Sequence, residues 1–433
     1  MFLKRLQLGL IHMAVAMTLV PINSTLNRVM IKDLGISASV VALLASLPYL
    51  FSPLQVAIGS FSDRHPLFGY RRTPYIILGL LLCVAGLAVS PQIAFLMSTN
   101  PLLGMFFATL AFGAWGMGYN FSSVSYLALA SELSGEKERG KTIATMWFMM
   151  IVSIIFTAIV TSRLLEPYSA GALQNAFLLV SVAAFFIGMT GLIGLEKRYS
   201  FLQASSSESH YSIKQMASVI FKSQQAASFF WYLTLLLAAI LGQDVLLEPF
   251  AAQAFGMSVQ QTTRITSVWG GAVLLTILLA GALERFLLRK QVAQIGNISA
   301  LVGLLTIMAG GLTMSQSAFW AGVVVLGCGT GIATVANLAL MFDLTLREYT
   351  GLFIGAWGVS NALSRLIGTM LAGILRDLFV YLTGEQVGAY LIVFGVEVFM
   401  LIVAVLMLVR IDVGSFHKQV AAPSVLERAA TAD

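Results

Sequence analysis

Long apolar runs separated by short polar connections are the main pattern along this chain. A helix needs about 20 apolar residues to cross the hydrocarbon core of a bilayer. Windows of that kind begin at roughly residues 7, 39, 74, 101, 142, 172, 228, 262, 293, 317, 350 and 387. The sequence therefore predicts an all-α membrane protein with twelve transmembrane helices.

The composition agrees with a chain whose solvent is mostly lipid. Of 433 residues, 58% are hydrophobic and only 10% are charged, whereas a soluble globular protein carries about 25% charged residues. The first apolar run starts like a signal peptide, but it continues to Ile31 and no small-x-small cleavage pattern follows. We therefore expect this run to be a retained first transmembrane helix.

One long polar interruption, residues 196–225, divides the predicted helices into two sets of six. It predicts an N-terminal six-helix bundle over residues 1–195 and a cytoplasmic linker over 196–227. A C-terminal six-helix bundle over 228–410 and a cytoplasmic tail over 411–433 complete the predicted organisation.

Lys and Arg residues are distributed unevenly between the two membrane sides that this arrangement creates. Nineteen of the 25 lie in the segments on the side of the termini, and cytoplasmic loops carry such an excess. Both termini are therefore predicted to be cytoplasmic. Because topology explains the net charge of +6, we expect no nucleic-acid partner.

The two sets of helices carry a matching sequence. The segment GMGYNFSSVSYLALASELSGEKERGKT in the fourth helix aligns with GCGTGIATVANLALMFDLTLREYTG in the tenth. This alignment places Glu132 on Asp343 and Arg139 on Arg347. An offset of about half the chain is typical of two parallel six-helix repeats, so the halves are predicted to be pseudo-symmetric bundles.

A polar motif follows the second predicted helix and reads GSFSDRHPLFGYRRTP from Gly59. Its charged side chains can form charge-assisted hydrogen bonds to a neighbouring helix end. Their order resembles the cytoplasmic gating motif of the major facilitator superfamily, G-x-x-x-D-R-x-G-R-R, expanded here by His-Pro-Leu-Phe. The alternative is a solvated basic loop that only obeys topology. The motif residues are Gly59, Asp63, Arg64, Arg71 and Arg72.

Further charges at the same predicted face extend this gating motif. GALERFLLRK at 281–290 is its degenerate counterpart in the second half. Glu132 with Arg139, and Asp343 with Arg347, are expected to supply partner charges that lock the two halves together.

Polar and ionisable residues inside the predicted helices mark a candidate cavity, because each charge is costly in the membrane unless it is paired or hydrated. Asp244 and Glu248 are four residues apart, which predicts that they share one face of the seventh helix. The repeat places Asn27 opposite Glu248. A pair of Glu248 with Arg28 or with Arg365 is predicted, either as an ion pair that fixes helix register or as part of a ligand site. The full set is Asn27, Arg28, Asp244, Glu248, Arg365, Glu397 and His12.

Four phrases of the sequence resemble one branch of this superfamily, the PucC/LhaA or bacteriochlorophyll delivery family. The resemblance runs from about residue 5 to 410. At its most specific phrase the family often has Glu-Pro-Tyr-Gly, whereas this chain has Glu-Pro-Phe-Ala at 248–251 and so lacks a hydroxyl. The phrases are LNRVMI (26–31), GSFSDRHPLFGYRRTPYI (59–76), QDVLLEPFAAQAFGMSVQQTT (243–263) and TGLFIGAWG (350–358).

The resemblance implies a role in the assembly of light-harvesting complexes through the handling of chlorophyll or bacteriochlorophyll. It implies antenna or photosystem membrane proteins as partners, besides the pigments and the lipid bilayer. The expected location is a thylakoid or a bacterial inner (intracytoplasmic) membrane.

Two residues of the cavity set can be ligands for the magnesium of a chlorin. A neutral imidazole at His12 is one, although a lone histidine in an apolar helix is often hydrogen-bonded to a neighbour instead. A glutamate paired with arginine offers an oxygen to magnesium, which is a hard cation. Glu248 is therefore the stronger prediction, and no metal site of the protein's own is expected.

Three functions remain open at this point. The first is a pigment-binding assembly factor, and the second is a proton-coupled secondary transporter of a small solute, with Asp244, Glu248 or Glu397 taking the proton. The third is a membrane scaffold without a ligand. The sequence contains no nucleotide-binding loop, catalytic triad or HExxH motif, so enzymatic chemistry is not expected.

Overall fold

The computed structural model describes residues 2–198, 224–283, 286–344 and 350–412 of the chain. Within these residues the chain forms twelve helical crossings, here numbered α1 to α12. The first six are α1 (Phe2–Asp33), α2 in two segments (Ala38–Leu50 and Leu54–Arg64), α3 (Thr73–Thr99), α4 (Pro101–Gly135), α5 (Glu138–Leu164) and α6 (Ala170–Leu192). The second six are α7 in three segments (Gln224–Gly242, Gln243–Val245 and Leu247–Phe255), α8 (Val259–Leu283), α9 (Arg289–Leu312), α10 (Gln316–Asp343), α11 (Thr350–Thr383) and α12 (Gln386–Arg410).

The predicted all-α fold with twelve transmembrane helices is confirmed, and each helix begins close to its predicted start. Eleven of the helices in the described residues are long and apolar enough to cross a membrane. The remaining crossing, α2, is divided after Leu50, and Pro53 precedes its second segment. Proline is favoured at a helix start because an N–H group at that position would have no intrahelical acceptor, so nothing is lost by its absence.

Helix α1 is irregular in its second half. It contains two π-helical segments, Ile22–Leu26 and Val29–Asp33, and the first of them follows directly on Pro21. A proline inside a helix removes one hydrogen bond and displaces the preceding turn. Short π segments are rare and occur frequently at functional sites.

Helix α7 is interrupted at the same level. Pro249 cannot donate to the carbonyl of Val245 and its ring crowds that carbonyl, so a 3₁₀ turn over Gln243–Val245 separates two α-helical segments. This turn contacts the first π segment of α1. Asp244 therefore lies within the break and Glu248 in the first turn after it. The predicted continuous helix is wrong here, and the common face of the two residues stays a prediction.

Helix α1 begins and helix α12 ends at the same face of the bundle, called here the terminal face; the opposite face is called distal. Contacts between helix ends support this arrangement at the terminal face. The backbone N–H of Asp412 donates to the side chain of Gln225 at 3.0 Å, and Lys290 donates to the carbonyls of Val409 and Ile411.

The two halves of the chain pack along two helix pairs, α2 with α11 and α5 with α8. Gly373 allows the first contact, since a Cβ added there would lie 2.6 Å from the Cβ of Ala42 and 2.7 Å from the carbonyl of Ala38. Small residues at such positions let two helix backbones approach each other closely.

The domain boundaries stay predictions, with one adjustment in the described part of the chain. Helix α7 begins at Gln224, four residues before the predicted second bundle. Most of the predicted linker and of the predicted tail lies outside the described residues.

Candidate functional site

The candidate site is built around Glu248, in the first turn of the last α7 segment. Its side chain is only 3% exposed. One carboxylate oxygen accepts hydrogen bonds from Ser24 on α1 and from Thr266 on α8, the latter at 3.0 Å. The other oxygen, Oε2, is buried and has no hydrogen-bond partner within the described part of the chain. Glu248 thus connects three helices from both halves and keeps one oxygen available.

Arg28 and Arg365 do not pair with Glu248, so both predicted ion pairs are wrong. Arg28 instead contacts the carboxylate of Asp33 and donates to the carbonyl of Met257 at 3.4 Å. Residues five apart are brought together by the π-helical hydrogen-bond pattern, and Arg28 and Asp33 lie at the two ends of such a segment. Arg365 donates to the hydroxyl of Tyr49 at 3.3 Å and lies over its ring.

Other polar side chains in the same layer form hydrogen bonds that do not involve Glu248. Thr25 on α1 and Thr263 on α8 are hydrogen-bonded at 3.1 Å, which adds a second contact between the halves. Asn27 is fully buried and its amide donates to the carbonyl of Asn23 within α1. Asn27 therefore lies near the site but directs its donor along its own helix.

A second buried carboxyl group, that of Glu397, lies midway along α12. It is 4% exposed, and both of its oxygens are buried without a hydrogen-bond partner. It adjoins a small cavity of about 10 Å³ whose lining includes Ala238 of α7 and Gly368 of α11. It also lies against Gly242, where an added Cβ would be 2.8 Å from Oε1. Glu397 thus faces the last residue before the α7 break.

Asp244 lies within that break itself. One of its carboxylate oxygens accepts from the amide of Gln243 at 2.9 Å. Its side chain is only partly buried, so it is the least enclosed of the three predicted intramembrane carboxyl groups.

His12 occupies a separate place in the first half. Its ring packs against Tyr126 on α4, with centroids 5.1 Å apart, and against Trp147 on α5 at 6.0 Å. The ring nitrogen Nδ1 is buried without a partner. His12 precedes Ser24, which contacts Glu248, by twelve residues, or about 18 Å along a helix. The two predicted pigment ligands, His12 and Glu248, therefore lie in different parts of the protein.

The predicted gating motif forms an ion-pair cluster at the terminal face. Asp63 contacts both Arg71 and Arg72 at 2.6 Å, and Arg72 also reaches Glu132 of α4 at 2.9 Å. Arg72 is 5% exposed and donates to Ser62 as well. These contacts give the motif more order than a solvated basic loop would have.

The second half repeats part of this cluster. Arg289 at the start of α9 contacts Asp343 at the end of α10, as Arg72 at the start of α3 contacts Glu132 at the end of α4. Each of these two pairs joins helices of one half and so does not lock the halves to each other. The expected lock through Glu132 with Arg139 and Asp343 with Arg347 stays a prediction. The alignment that matched Glu132 with Asp343 does find pseudo-equivalent positions.

The remaining motif residues have varied surroundings. Arg64 is exposed at the end of α2, and Arg139 is exposed near the start of α5. Gly59 is buried, and a Cβ added there would be 3.4 Å from Val124 of α4. Arg347 lies outside the described residues.

Sequence reasoning missed Glu196, which completes the cluster. Its carboxylate accepts from the backbone N–H groups of Arg71 and Thr73, at 2.8 and 2.7 Å, and from the Thr73 hydroxyl. An acidic group at a helix N-terminus satisfies unpaired N–H groups and complements the helix dipole. The sequence contains an acidic residue at the end of α6 but no signal that pairs it with α3.

Sequence reasoning also missed Asp377 on α11, at the distal face. It accepts from the backbone N–H groups of Ala38 and Ser39, at 3.0 and 2.7 Å, and from the Ser39 hydroxyl at 2.6 Å. It therefore caps α2 of the other half. Its place directly after Arg376 in the sequence was the available signal, since two adjacent opposite charges near the end of a predicted transmembrane helix require an explanation.

Together these contacts define what the site can do. The halves are joined by polar contacts at the distal face and in the layer of Glu248. A buried carboxylate that is held by one oxygen can accept either a proton or a hard cation at the other. His12 offers a nitrogen ligand in a different, aromatic environment.

Comparison with known proteins identifies relatives along almost the entire chain. The model of a family described as "PUCC protein" matches residues 25–416. "Protein PucC" of Cereibacter sphaeroides is 32% identical, over 94% of this chain and 92% of that protein. "Bacteriochlorophyll synthase 44.5 kDa chain" of Rhodobacter capsulatus is 26% identical, over 94% of both chains.

Solved structures of transporters share the fold at low sequence identity. A mutant of the nucleoside transporter NupG superposes with a TM-score of 0.75 at 14% identity, covering 94% of this chain and 99% of NupG. A D-xylose-proton symporter superposes with a TM-score of 0.71 at 13% identity, covering 94% and 97%. The predicted fold of the major facilitator superfamily is confirmed.

Proposed function

Because the chain belongs to the PUCC protein family, we propose that it is a membrane assembly factor that binds chlorophyll or bacteriochlorophyll and delivers it to light-harvesting or photosystem proteins. The name of one relative supports bacteriochlorophyll as the pigment, since that relative is called a bacteriochlorophyll synthase chain. That name denotes an enzyme. The family as a whole and the transporter fold favour a protein that is not an enzyme, and we propose that role for this chain.

The geometry of Glu248 is the observation that best supports pigment binding. A bound chlorin would supply a magnesium ion, and magnesium prefers oxygen ligands. Ser24 and Thr266 hold one oxygen of the carboxylate and leave Oε2 without a donor. Hydrogen bonds of this kind orient a ligand residue and tune its basicity. Glu248 would therefore hold the magnesium, with His12 as the second candidate.

Access to Oε2 requires the halves to separate, because Glu248 is enclosed by helices of both. Proteins of this fold expose a site at the interface of their repeats by movement of one bundle against the other. We propose that such a movement admits and releases the pigment. With both termini in the cytoplasm, as the charge distribution indicates, the distal face would face away from the cytoplasm.

The test compares pigment content among purified variants from a pigment-replete membrane. Glu248→Gln keeps an oxygen that can accept from Ser24 and Thr266 but replaces Oε2 by an amide nitrogen, which cannot bind magnesium. Glu397→Gln is the matched control, since it also neutralises a buried carboxyl group. We expect chlorin in the wild type and in Glu397→Gln and a marked loss in Glu248→Gln. Equal pigment in all three proteins would remove Glu248 from the site.

A second function, proton-coupled transport of a small solute, is favoured by a different observation. The carboxyl group of Glu397 has no hydrogen-bond partner and lies against the break of α7. A buried carboxyl group that can exchange a proton is the usual element of such coupling. The structural neighbours include a proton symporter.

Proteoliposomes that contain a pH-sensitive dye distinguish this alternative. Uridine and D-xylose are suitable first solutes, since the structural neighbours are a nucleoside transporter and a xylose symporter. Transport predicts proton uptake that depends on the solute and is lost in Glu397→Gln. An assembly factor predicts no such flux from a protein preparation that still binds pigment.

A further inference from the structure

A groove on the side of the molecule follows the seam between α5 and α8, the second of the two helix pairs that join the halves. Its volume is about 260 Å³. It lies at the distal ends of both helices, because Ser162 near the end of α5 donates to the carbonyl of Gln260 near the start of α8. The lining residues are Ile159, Ser162, Arg163, Arg264, Ser267 and Val268.

The groove contains one arginine from each half, and neither is paired within the described chain. Arg163 and Arg264 are both exposed, and no carboxylate in the described residues lies within ion-pair distance of either. Glu166 is near in sequence, but its carboxylate accepts from Gln260 instead. Two like charges that line one groove repel each other, and an anion between them would relieve that repulsion.

Other arginines at the distal face differ in this respect. Arg28 contacts Asp33, and Arg376 contacts Asp377. The protein thus supplies its own counter-ion for these two side chains.

A hydroxyl group in the groove is also left without a partner. The Oγ atom of Ser267 is buried and makes no hydrogen bond to any residue that the structure describes. A buried polar group in this condition is costly unless a ligand or water satisfies it. Ser267 therefore adds a neutral donor to the two cationic ones.

The depth and the apolar surroundings define the shape of the ligand. Arg163 lies at the last turn of α5, and Arg264 lies about 7.5 Å into α8, so both are near the distal ends of helices that are long and apolar enough to cross a membrane. Toward the membrane centre the same two helices expose Phe156 and Leu275, at 62% and 59%. An anionic head with apolar tails fits this order of polar and apolar residues.

We propose that the groove binds an anionic phospholipid, whose phosphate joins Arg163 to Arg264 and accepts a hydrogen bond from Ser267. Guanidinium groups bind phosphate oxygens in a forked geometry that suits this role. Because the two arginines belong to different halves, the lipid holds α5 and α8 together at the distal face. The groove is not a pigment site, since its charged groups cannot ligate magnesium.

Native mass spectrometry of the full chain, exchanged from detergent into defined lipids, tests this proposal. The probes are phosphatidylglycerol, phosphatidylcholine and inorganic phosphate. The variant is Arg163→Gln with Arg264→Gln, and the control is Lys32→Gln with Arg410→Gln, which removes the same charge away from the groove. Single variants are measured beside them, so that a misfolded double variant leaves the proposal testable.

We expect the wild type and the control to retain phosphatidylglycerol in preference to phosphatidylcholine. The groove variant should bind phosphatidylglycerol about tenfold more weakly, because it loses charge-assisted contacts. Equal binding by the groove variant, or equal retention of the two lipids by the wild type, would overturn the proposal. Saturation by inorganic phosphate at the same concentrations would overturn the lipid assignment. Pigment content does not enter this measurement, so it succeeds or fails independently of the proposed function.

Discussion

Asp377 on α11 accepts a hydrogen bond from the backbone N–H of Ser39 at 2.7 Å and from its hydroxyl at 2.6 Å. These two residues belong to different halves of the chain. The carboxylate caps α2, whose first N–H groups have no partner within their own helix. One side chain thereby joins a helix start in the first half to a helix near the distal face in the second.

Asp377→Ala should lower stability, because it leaves the N–H groups of Ala38 and Ser39 without their acceptor. Loss of a helix cap or of a hydrogen bond to a charged group costs about 1–3 kcal/mol. Thermal unfolding in detergent measures the change. Asp377→Asn, which keeps one oxygen acceptor, should lose less, and an unchanged midpoint in Asp377→Ala would contradict the inter-half cap.

Gly373→Ala tests the tight packing of α2 on α11. The new Cβ would lie 2.6 Å from that of Ala42, and overpacking of this kind costs about 1–3 kcal/mol. Gly271→Ala on α8 is the control, since nothing lies within 4 Å of its added Cβ. The control should be neutral or stabilising by up to about 1 kcal/mol, because alanine is the better helix former. The same loss in both proteins would argue against close packing at Gly373.

The two pseudo-equivalent ion pairs at the terminal face should differ in strength because their exposure differs. Arg72 is 5% exposed and serves Asp63, Glu132 and Ser62, so Arg72→Ala removes a buried guanidinium that makes three contacts and should cost about 1–3 kcal/mol. Arg289 is 48% exposed in its side chain, and Arg289→Ala should cost about 0–1 kcal/mol. Denaturation of the two variants under one condition gives the comparison, and equal losses would refute the argument from burial.

His12→Phe separates the two proposed pigment ligands. A phenyl ring preserves the packing against Tyr126 and Trp147 but removes both ring nitrogens. If Glu248 holds the magnesium, pigment content in this variant should match that of the wild type within about 20%, a margin far smaller than the roughly tenfold effect of losing a direct ligand contact. Extraction and absorption of the purified protein measure it. Loss of pigment here, with retention in Glu248→Gln, would move the site to His12.

The fold could be predicted from the sequence because membrane crossing requires long apolar runs, and these runs are visible without any knowledge of contacts. The pseudo-equivalence of Glu132 and Asp343 was also accessible, since the flanking apolar motifs align. Both predictions depend on local sequence or on internal repetition alone.

The partners of the buried charges could not be predicted in the same way. The direction of Arg28 depends on the π segments of α1, and the position of Asp244 depends on the break that Pro249 causes in α7. The contacts of Glu196 with α3 and of Asp377 with α2 join residues more than 100 positions apart. Such pairings are decided by helix rotation and packing, which a hydropathy pattern does not contain.

The most direct test of the proposed function is antenna assembly in a phototroph that lacks this chain. The measured quantity is the absorption of assembled light-harvesting complex per cell, after complementation with the wild type, Glu248→Gln or Glu397→Gln at equal membrane abundance. We expect the wild type and Glu397→Gln to restore the antenna band and Glu248→Gln to leave it low. Normal antenna absorption without the chain would contradict the assembly role, and full restoration by Glu248→Gln would contradict the site.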